Sequence, residues 1–353
     1  MLCWEPRPSI WKQHTRIEWM KVTITDIARE ANVSKMTVSR VLNGTGQVAP
    51  ATEQRIRKII EKMQYQPNLI ARSLAMRQTN ILGVIIPKIE HMFLDNYIAQ
   101  ILSGVTDVAL ENDYKIILCP VDLSGKSDTS YLDIARTKML DGMILVKTKI
   151  GDRNIDKLAE GDIPFVLVNY KSRSDQIHYI DSHNIKGAEM AVDYLYNKEH
   201  RDIAFMAGSM DETNARDRMK GFKKAIKKYG LSCPDCWIMY GDFSKEKAYA
   251  ETENLVQSDN LPTAVFCSDD YMAIGVMECL KSHNIDIPGQ VAVMGFDDIE
   301  LSAYIIPSLT TIRQPIYELG KSSARMLLDI ISDNEQVENH RILDVELIAR
   351  ESA

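Results

Sequence analysis

Between residues 24 and 42 the apolar positions recur with helical rather than strand spacing. Ile24, Ile27, Ala28 and Ala31 fall at i, i+3, i+4 and i+7, one face of a first helix. Val33 lies in the turn that follows, and Ser34 is placed to cap a second helix through its hydroxyl. Val38, Val41 and Leu42 give the second helix its buried side, which leaves Lys35, Met36, Ser39 and Arg40 facing outward. Pro50 can open a third helix at its first turn, with Ile56, Ile59, Ile60 and Met63 as a buried stripe. Arg55, Arg57, Lys58 and Lys62 occupy its solvated faces, and Ala49 ahead of it has no capping hydroxyl. The stretch 68–78 is long enough for about two turns, too short to be stable alone, so it should be disordered or frayed unless a partner orders it.

From Ile81 the period changes. Short apolar runs at 81–86, 115–119, 142–146, 164–168, 203–208, 237–240, 263–267 and 291–296 read as strands. Amphipathic stretches between them, such as 96–112, 185–198, 214–229 and 271–284, read as helices. The alternation predicts parallel sheets wrapped by helices, in two lobes. In such sheets ligands sit at the carboxyl ends of strands, so the residues just after each strand carry the information.

A helical hairpin is more often a packing unit than a DNA reader, and charge changes that balance. The chain is −7 overall, yet residues 20–80 hold ten Lys or Arg against four Asp or Glu, leaving −14 on residues 81–353. A basic head on an acidic body is the electrostatic pattern of a small DNA-binding module joined to a larger core. A second helix presenting a cation, a hydroxyl and an apolar tip suits the major groove.

No apolar run approaches the roughly 20 residues that span a bilayer. The first 19 residues lack the apolar core of a secretory signal, and are expected to be a disordered extension with Met20 as the natural start. The six cysteines are scattered, and Cys233-Pro-Asp-Cys236 has no second Cys or His pair to complete a zinc site. No metal or cofactor is expected. The expected compartment is reducing cytoplasm, with the protein on the nucleoid.

Taken together, VTITDIAREANVSKMTVSRVLN (22–43), YQPNLIARSLAMRQTNILGVIIP (65–87) and the later runs RDIAFMAG, RMKGF, SDDYMAIG, GFDD and LTTIRQP resemble the lactose/galactose repressor family of bacterial transcriptional regulators. The resemblance covers about residues 21–351. It implies an all-α helix-turn-helix headpiece at 20–66, a hinge helix or linker at 67–79, and an α/β two-lobed core like the periplasmic binding proteins at 80–353. The N-lobe is expected at about 80–196 and 314–344, the C-lobe at about 197–313 and 345–353. It further implies a homodimer on a near-palindromic operator, no membrane, and no enzymatic activity.

Carried over residue by residue, the resemblance places Lys35, Met36 and Arg40 against base edges, with Ser39 and Thr37 on the same helix. Arg40 suits a bidentate contact to guanine, worth about 1–3 kcal/mol of discrimination, and Met36 suits a thymine methyl. Thr23, Thr25, Ser34, Asn43 and Thr52 match phosphate-gripping positions, which set register without reading sequence. Asn68, Ala71 and Leu74 belong to the hinge. Leu74 matches a wedge that enters the minor groove at a deformable central step, and Ala71 is small enough for two hinge helices to approach.

For the effector, a sugar, sugar acid or sugar phosphate, the matching positions are Arg218, Asp297, Asp269, Asn169 and Phe93. Carboxylate and guanidinium hydrogen-bond hydroxyls well, and an aromatic face covers a pyranose ring. Two departures bear on effector identity. His91-Met92-Phe93-Leu94 stands where many members have Asn-Pro-Phe-Phe, and Asp269 stands where Asn is frequent. Lys147 and Lys149, after the strand at 142–146, favour an anionic ligand unless they are simply a solvated loop. Two rival readings remain: a solute-binding transport component, and a hydrolase or metal enzyme prompted by Asp269-Asp270 and Asp297-Asp298. No nucleophile–base pattern accompanies those carboxylates.

Overall fold

The computed structural model describes residues 22–44, 46–65, 78–88, 95–121, 130–172, 174, 176–258, 260–334 and 336–353. The expectations for 1–19, Asn68, Ala71, Leu74 and Phe93 lie outside those residues, as does the side chain of Asn43. The chain divides into two compact units between Thr79 and Asn80.

The first unit holds α1 (Ile24–Glu30), α2 (Lys35–Asn43) and α3 (Pro50–Lys62). Its core is Ile27, Ala28, Ala31, Val38, Val41 and Ile56, with Ile24, Val33, Leu42, Ile59, Ile60 and Met63 packed partly buried around it. Three short helices survive because each gives an apolar stripe to this one cluster, which supplies what local propensity cannot. Ala49 makes no side-chain cap to α3, so Pro50 alone sets that helix's start.

The second unit contains two six-stranded sheets. In the first, β1 (Ile81–Pro87), β2 (Lys115–Val121), β3 (Gly142–Val146), β4 (Phe165–Val168), β5 (His178–Ser182) and β11 (His340–Leu343) run in the order β11-β5-β4-β3-β1-β2, all parallel. In the second, β6 (Ile203–Ala207), β7 (Ile238–Tyr240), β8 (Ala264–Cys267), β9 (Ala292–Asp297), β10 (Thr310–Arg313) and β12 (Glu346–Ile348) run in the order β12-β10-β9-β8-β6-β7. Only the edge strand β12 is antiparallel to its neighbour. Strands β3, β4, β6, β8 and β9 are buried along their whole length, which is why they read as continuous apolar runs.

Helices α4 (Asn96–Glu111), α5 (Ser130–Arg136), α6 (Arg153–Ala159) and α11 (Ile316–Ile331) cover the first sheet. Helices α7 (Asn184–Asn197), α8 (Thr213–Lys228), α9 (Lys245–Val256) and α10 (Asp270–Ser282) cover the second. Helices α4 and α11 approach closely through glycines: a side chain at Gly104 would meet the Tyr317 backbone, and one at Gly320 would meet the Ile101 backbone.

The first crossing between lobes corrects the expectation of a boundary at 196. It falls directly after β5, because Ala188, Ala191, Val192 and Leu195 of α7 pack with Ile203, Phe205 and Phe266 of the second lobe. Alternating strand and helix patterns do not say which sheet a helix covers. The chain crosses again between β10 and α11, and between β11 and β12.

Candidate nucleic-acid interface and ligand cleft

In the first unit α2 is fixed by its ends. Ser34 is extended (φ −72, ψ 153), its Oγ accepts the Thr37 N–H at 3.1 Å, and the Thr37 hydroxyl lies 2.9 Å from it. Such a cap contributes about 1 kcal/mol. At the other end Gly44 takes the left-handed conformation (φ 66), and its N–H donates to the Arg40 carbonyl. With Val38 and Val41 buried, Lys35, Met36 and Arg40 are exposed, Met36 by 65%. Gly46 (φ 79) leaves room for the Arg40 side chain, since a Cβ there would come within 3.3 Å of Arg40 Cδ.

Ion pairs sort the remaining cations. Arg29 pairs with Asp26 at 3.1 Å, Arg57 with Glu53 at 2.7 Å and Lys62 with Glu30 at 3.3 Å. Among the described residues Lys35, Arg40, Arg55 and Lys58 make no ion pair. They can meet phosphate or base edges without breaking a contact. Thr25 is exposed and Thr52 half-buried. Thr23 is occupied: its hydroxyl and N–H donate to Asp26 Oδ2 at 2.7 and 3.0 Å, capping α1 and holding the Asp26 carboxyl below its usual range.

In the second unit the strand ends converge. Lys147 and Thr148 follow β3, Asn169 follows β4, Ser182 ends β5, Ser268 and Asp269 follow β8, Asp297 ends β9 and Gln314 follows β10. Lys147, Asn169 and Asp297 have positive φ (55°, 52° and 118°). Asn and Asp tolerate this region, whereas Lys adopts it where surrounding contacts hold it, as functional sites often require.

Arg218, on α8, is 1% exposed and is the central cation. Its Nε donates to Asn184 Oδ1 at 2.8 Å, its Nη1 donates to the Ser268 carbonyl, and Asp297 Oδ1 stands 3.5 Å away. The guanidinium lies over the Phe296 ring at 3.8 Å. Asp297 also accepts from Gln314 Nε2, and Ser182 donates to Gln314 Oε1 at 2.5 Å, so the pair is embedded in a hydrogen-bonded network that joins both lobes. On the same side, the Ile150 N–H donates to the Asp211 carbonyl at 2.6 Å and the Lys171 N–H to Thr213 Oγ1 at 3.2 Å.

Among the described residues five buried side-chain polar atoms have no hydrogen-bond partner: Tyr97 Oη, Thr148 Oγ1, both amide ends of Asn169, and Ser268 Oγ. Leaving such a group unsatisfied costs about 1–3 kcal/mol, so several at converging strand ends mark a place for a hydroxyl-rich ligand. The acids there are perturbed. Burial and then Asp297 push Asp269 up to about 7, burial pushes Asp181 up to about 7, and burial raises Glu212. Burial also raises Asp297, against the opposing pull of Arg218.

The family resemblance singled out Asn169, Arg218, Asp269 and Asp297; three of them end or follow strands, Arg218 lies on α8, and all four are buried. Each carboxylate pair divides its work. Asp270 turns away to accept from Ile299 N–H, Ser302 and Thr311, while Asp298 is clasped by Arg313 at 2.7 Å and Arg350 at 2.6 Å. The two lysines weighed as an anion site against a solvated loop are already matched, Lys147 by Asp95 at 2.7 Å and Lys149 by Asp211 at 3.6 Å. The strand-end rule could have found Thr148, Ser268 and Gln314. Tyr97, in the first turn of α4, and Asp95, its cap, carry no comparable signal. Among the described residues no cluster of His, Cys, Asp or Glu could hold a metal ion. Nor, among those residues, is any helix long and apolar enough to cross a membrane.

Known proteins share this arrangement. Residues 23–68 match the family described as bacterial regulatory proteins, lacI family, and residues 192–353 match the periplasmic binding protein-like domain. Catabolite control protein A of Priestia megaterium is 34% identical over 309 residues, covering 87% of this chain and 92% of that protein. Among solved structures, the lac repressor dimer bound to operator and the anti-inducer ONPF superposes with a TM-score of 0.82 at 26% identity, covering 94% of this chain and 98% of that one. The transcriptional regulator CelR–cellobiose complex gives a TM-score of 0.74 at 27% identity, covering 94% and 100%.

Proposed function

This chain belongs to the lacI family of bacterial regulatory proteins, and from that premise we propose that it is a cytoplasmic transcriptional repressor whose grip on a near-palindromic operator is set by a small hydroxyl-rich effector. The observation that carries the reading is the outer face of α2. Lys35 and Arg40 stand exposed without an ion pair among the described residues, on either side of the exposed Met36. Arg40 takes guanine in the major groove, Lys35 and Met36 read neighbouring base edges, and Thr37 and Ser39 lie along the same helix. Thr23, Thr25, Ser34, Asn43 and Thr52, joined by Arg55 and Lys58, contact phosphates and set register. In a homodimer on a palindrome the hinge segments pair, and Leu74, preceded in the hinge by Asn68 and Ala71, wedges into the minor groove.

The effector occupies the cleft, held by Arg218, Asp297, Asp269 and Asn169 and covered by Phe93. The lac repressor's anti-inducer and CelR's cellobiose support a saccharide-like ligand. Because Arg218 on one lobe bonds Asn184 at the crossing and Gln314 links Asp297 to Ser182, a ligand replacing these contacts changes how the lobes sit. Such coupling is a free energy of about 1–3 kcal/mol and is reciprocal, so operator DNA shifts effector affinity too. The carboxylates bind rather than catalyse, since Asp270 and Asp298 are consumed by structural contacts.

Mobility-shift titration on a selected palindrome, run beside a turnover assay with sugars and sugar phosphates, tests the reading. Specific retardation without turnover is expected. Turnover, or binding indifferent to sequence, would overturn it.

A further inference from the structure

The cleft is more acidic than a sugar site needs to be. Asp297 acts on Asp269 and feels Asp95; Asp181 and Glu212 bear with it on Tyr97, and all five acids lie within the field of the half-buried Lys147 or the buried Arg218. At the rim, Lys149 is matched by Asp211, and Lys171 and Asp217 both bear on Asp181. Both central cations are engaged, Lys147 with Asp95 and Arg218 with Asp297. Asp269 is different. Its Oδ1 caps α10 by accepting the Met272 N–H at 2.7 Å, and among the described residues no cation contacts it, although it is only 5% exposed. Among the described residues the Ser268 hydroxyl beside it has no partner, and neither has the buried Tyr97 hydroxyl, which lies within the field of Asp297 and Arg218.

Buried like charges are tolerated when a proton or a counter-ion compensates them. An anionic ligand would add a further charge to be compensated, a neutral one would leave Asp269 to a proton, and a cationic one would compensate it directly.

We propose that the effector is a cationic polyol, an amino sugar or close relative, whose ammonium group pairs with Asp269 while its hydroxyls satisfy Tyr97, Thr148, Asn169 and Ser268. Asp269 is then the residue that sets ligand charge. The inference rests on the regulator reading above and narrows its ligand.

Matched series test it on the full chain by thermal shift and calorimetry: glucose, glucosamine, glucuronate and glucose 6-phosphate, then the galactose and mannose counterparts. The expected result is one series in which the aminated member binds at least tenfold tighter than its neutral parent, with the acid and phosphate weaker still. Asp269→Asn, checked for folding by its melting curve, should erase that preference. A neutral or anionic member matching or beating the amine in every series would overturn the proposal. So would failure of every aminated member to bind, or an amine preference that survives in Asp269→Asn. The wild-type ranking decides the matter even if the variant does not fold. Operator binding without ligand, measured in parallel, separates the two readings: retained binding with the wrong ranking removes only the ligand class, and lost operator specificity removes the regulator.

Discussion

Arg218 and Asp297 face each other across 3.5 Å in the interior of the cleft, the guanidinium 2% and the carboxylate 11% exposed by side chain. Two ions that far from water persist because Asn184, the Ser268 carbonyl, Gln314 and the Phe296 ring complete their contacts. Removing one partner strands the other. Arg218→Ala should therefore destabilise the core by about 3–5 kcal/mol. Asp297→Asn leaves Arg218 charged without its counter-ion but keeps the shape and much of the hydrogen bonding, so it should destabilise by less than Arg218→Ala. Chemical denaturation of both variants checks the ordering.

At the DNA face, contacts to bases and to phosphates should separate experimentally. Arg40→Ala is expected to lose about 1–3 kcal/mol of discrimination against substituted half-sites, with little change on random duplex. Lys58→Ala should weaken all duplexes alike and reduce the slope of log affinity against log salt by about 1. Anisotropy titrations at several salt concentrations read both.

Leu74 supplies a third contrast. As a minor-groove wedge it matters only where a deformable central step accepts it, so Leu74→Ala should weaken operator binding far more than random-duplex binding. Equal losses on the two DNAs would remove the wedge role.

Acidity offers a test of the ligand-free cleft. Asp269 and Asp181 are each pushed up to about 7, chiefly by burial, from an ordinary value of 3.8. Between roughly pH 4 and 7 the folded chain therefore binds protons that the unfolded chain has released, so these groups make stability fall as pH rises through that window. Melting temperature should drop from pH 5 to pH 8, and Asp269→Asn and Asp181→Asn should each flatten the drop. An unchanged pH profile in both variants would count against the buried, unpaired carboxyls.

Much of this was legible from residue spacing. The stripes of α1 and α2 and the Ser34 cap follow from local periodicity, because three short helices have only one way to hide Ile27, Val38 and Ile56 together. Parallel sheets bring strand ends to one side, so the rule pointed to the residues after each strand, while Asn169, Asp269 and Asp297 themselves came from the resemblance to the family. The assignment of α7 to the second lobe was not legible: its apolar face fits either sheet, and only the packing of Leu195 with Phe205 decides it. The pairing of Lys147 with Asp95, 52 positions apart, was equally hidden, and it engages a lysine weighed as an anion site with an acid of the cleft.

The central claim is that the cleft governs the headpiece. It is tested most directly by the operator dissociation constants of wild type and Asp297→Asn, each measured with and without the ligand that stabilises the wild type in the thermal-shift series. The account predicts equal affinities without ligand, a change of about 5–150-fold in the wild type when ligand is added, and no change in Asp297→Asn at that concentration. A ligand that occupies the wild-type cleft and leaves operator affinity untouched would contradict it.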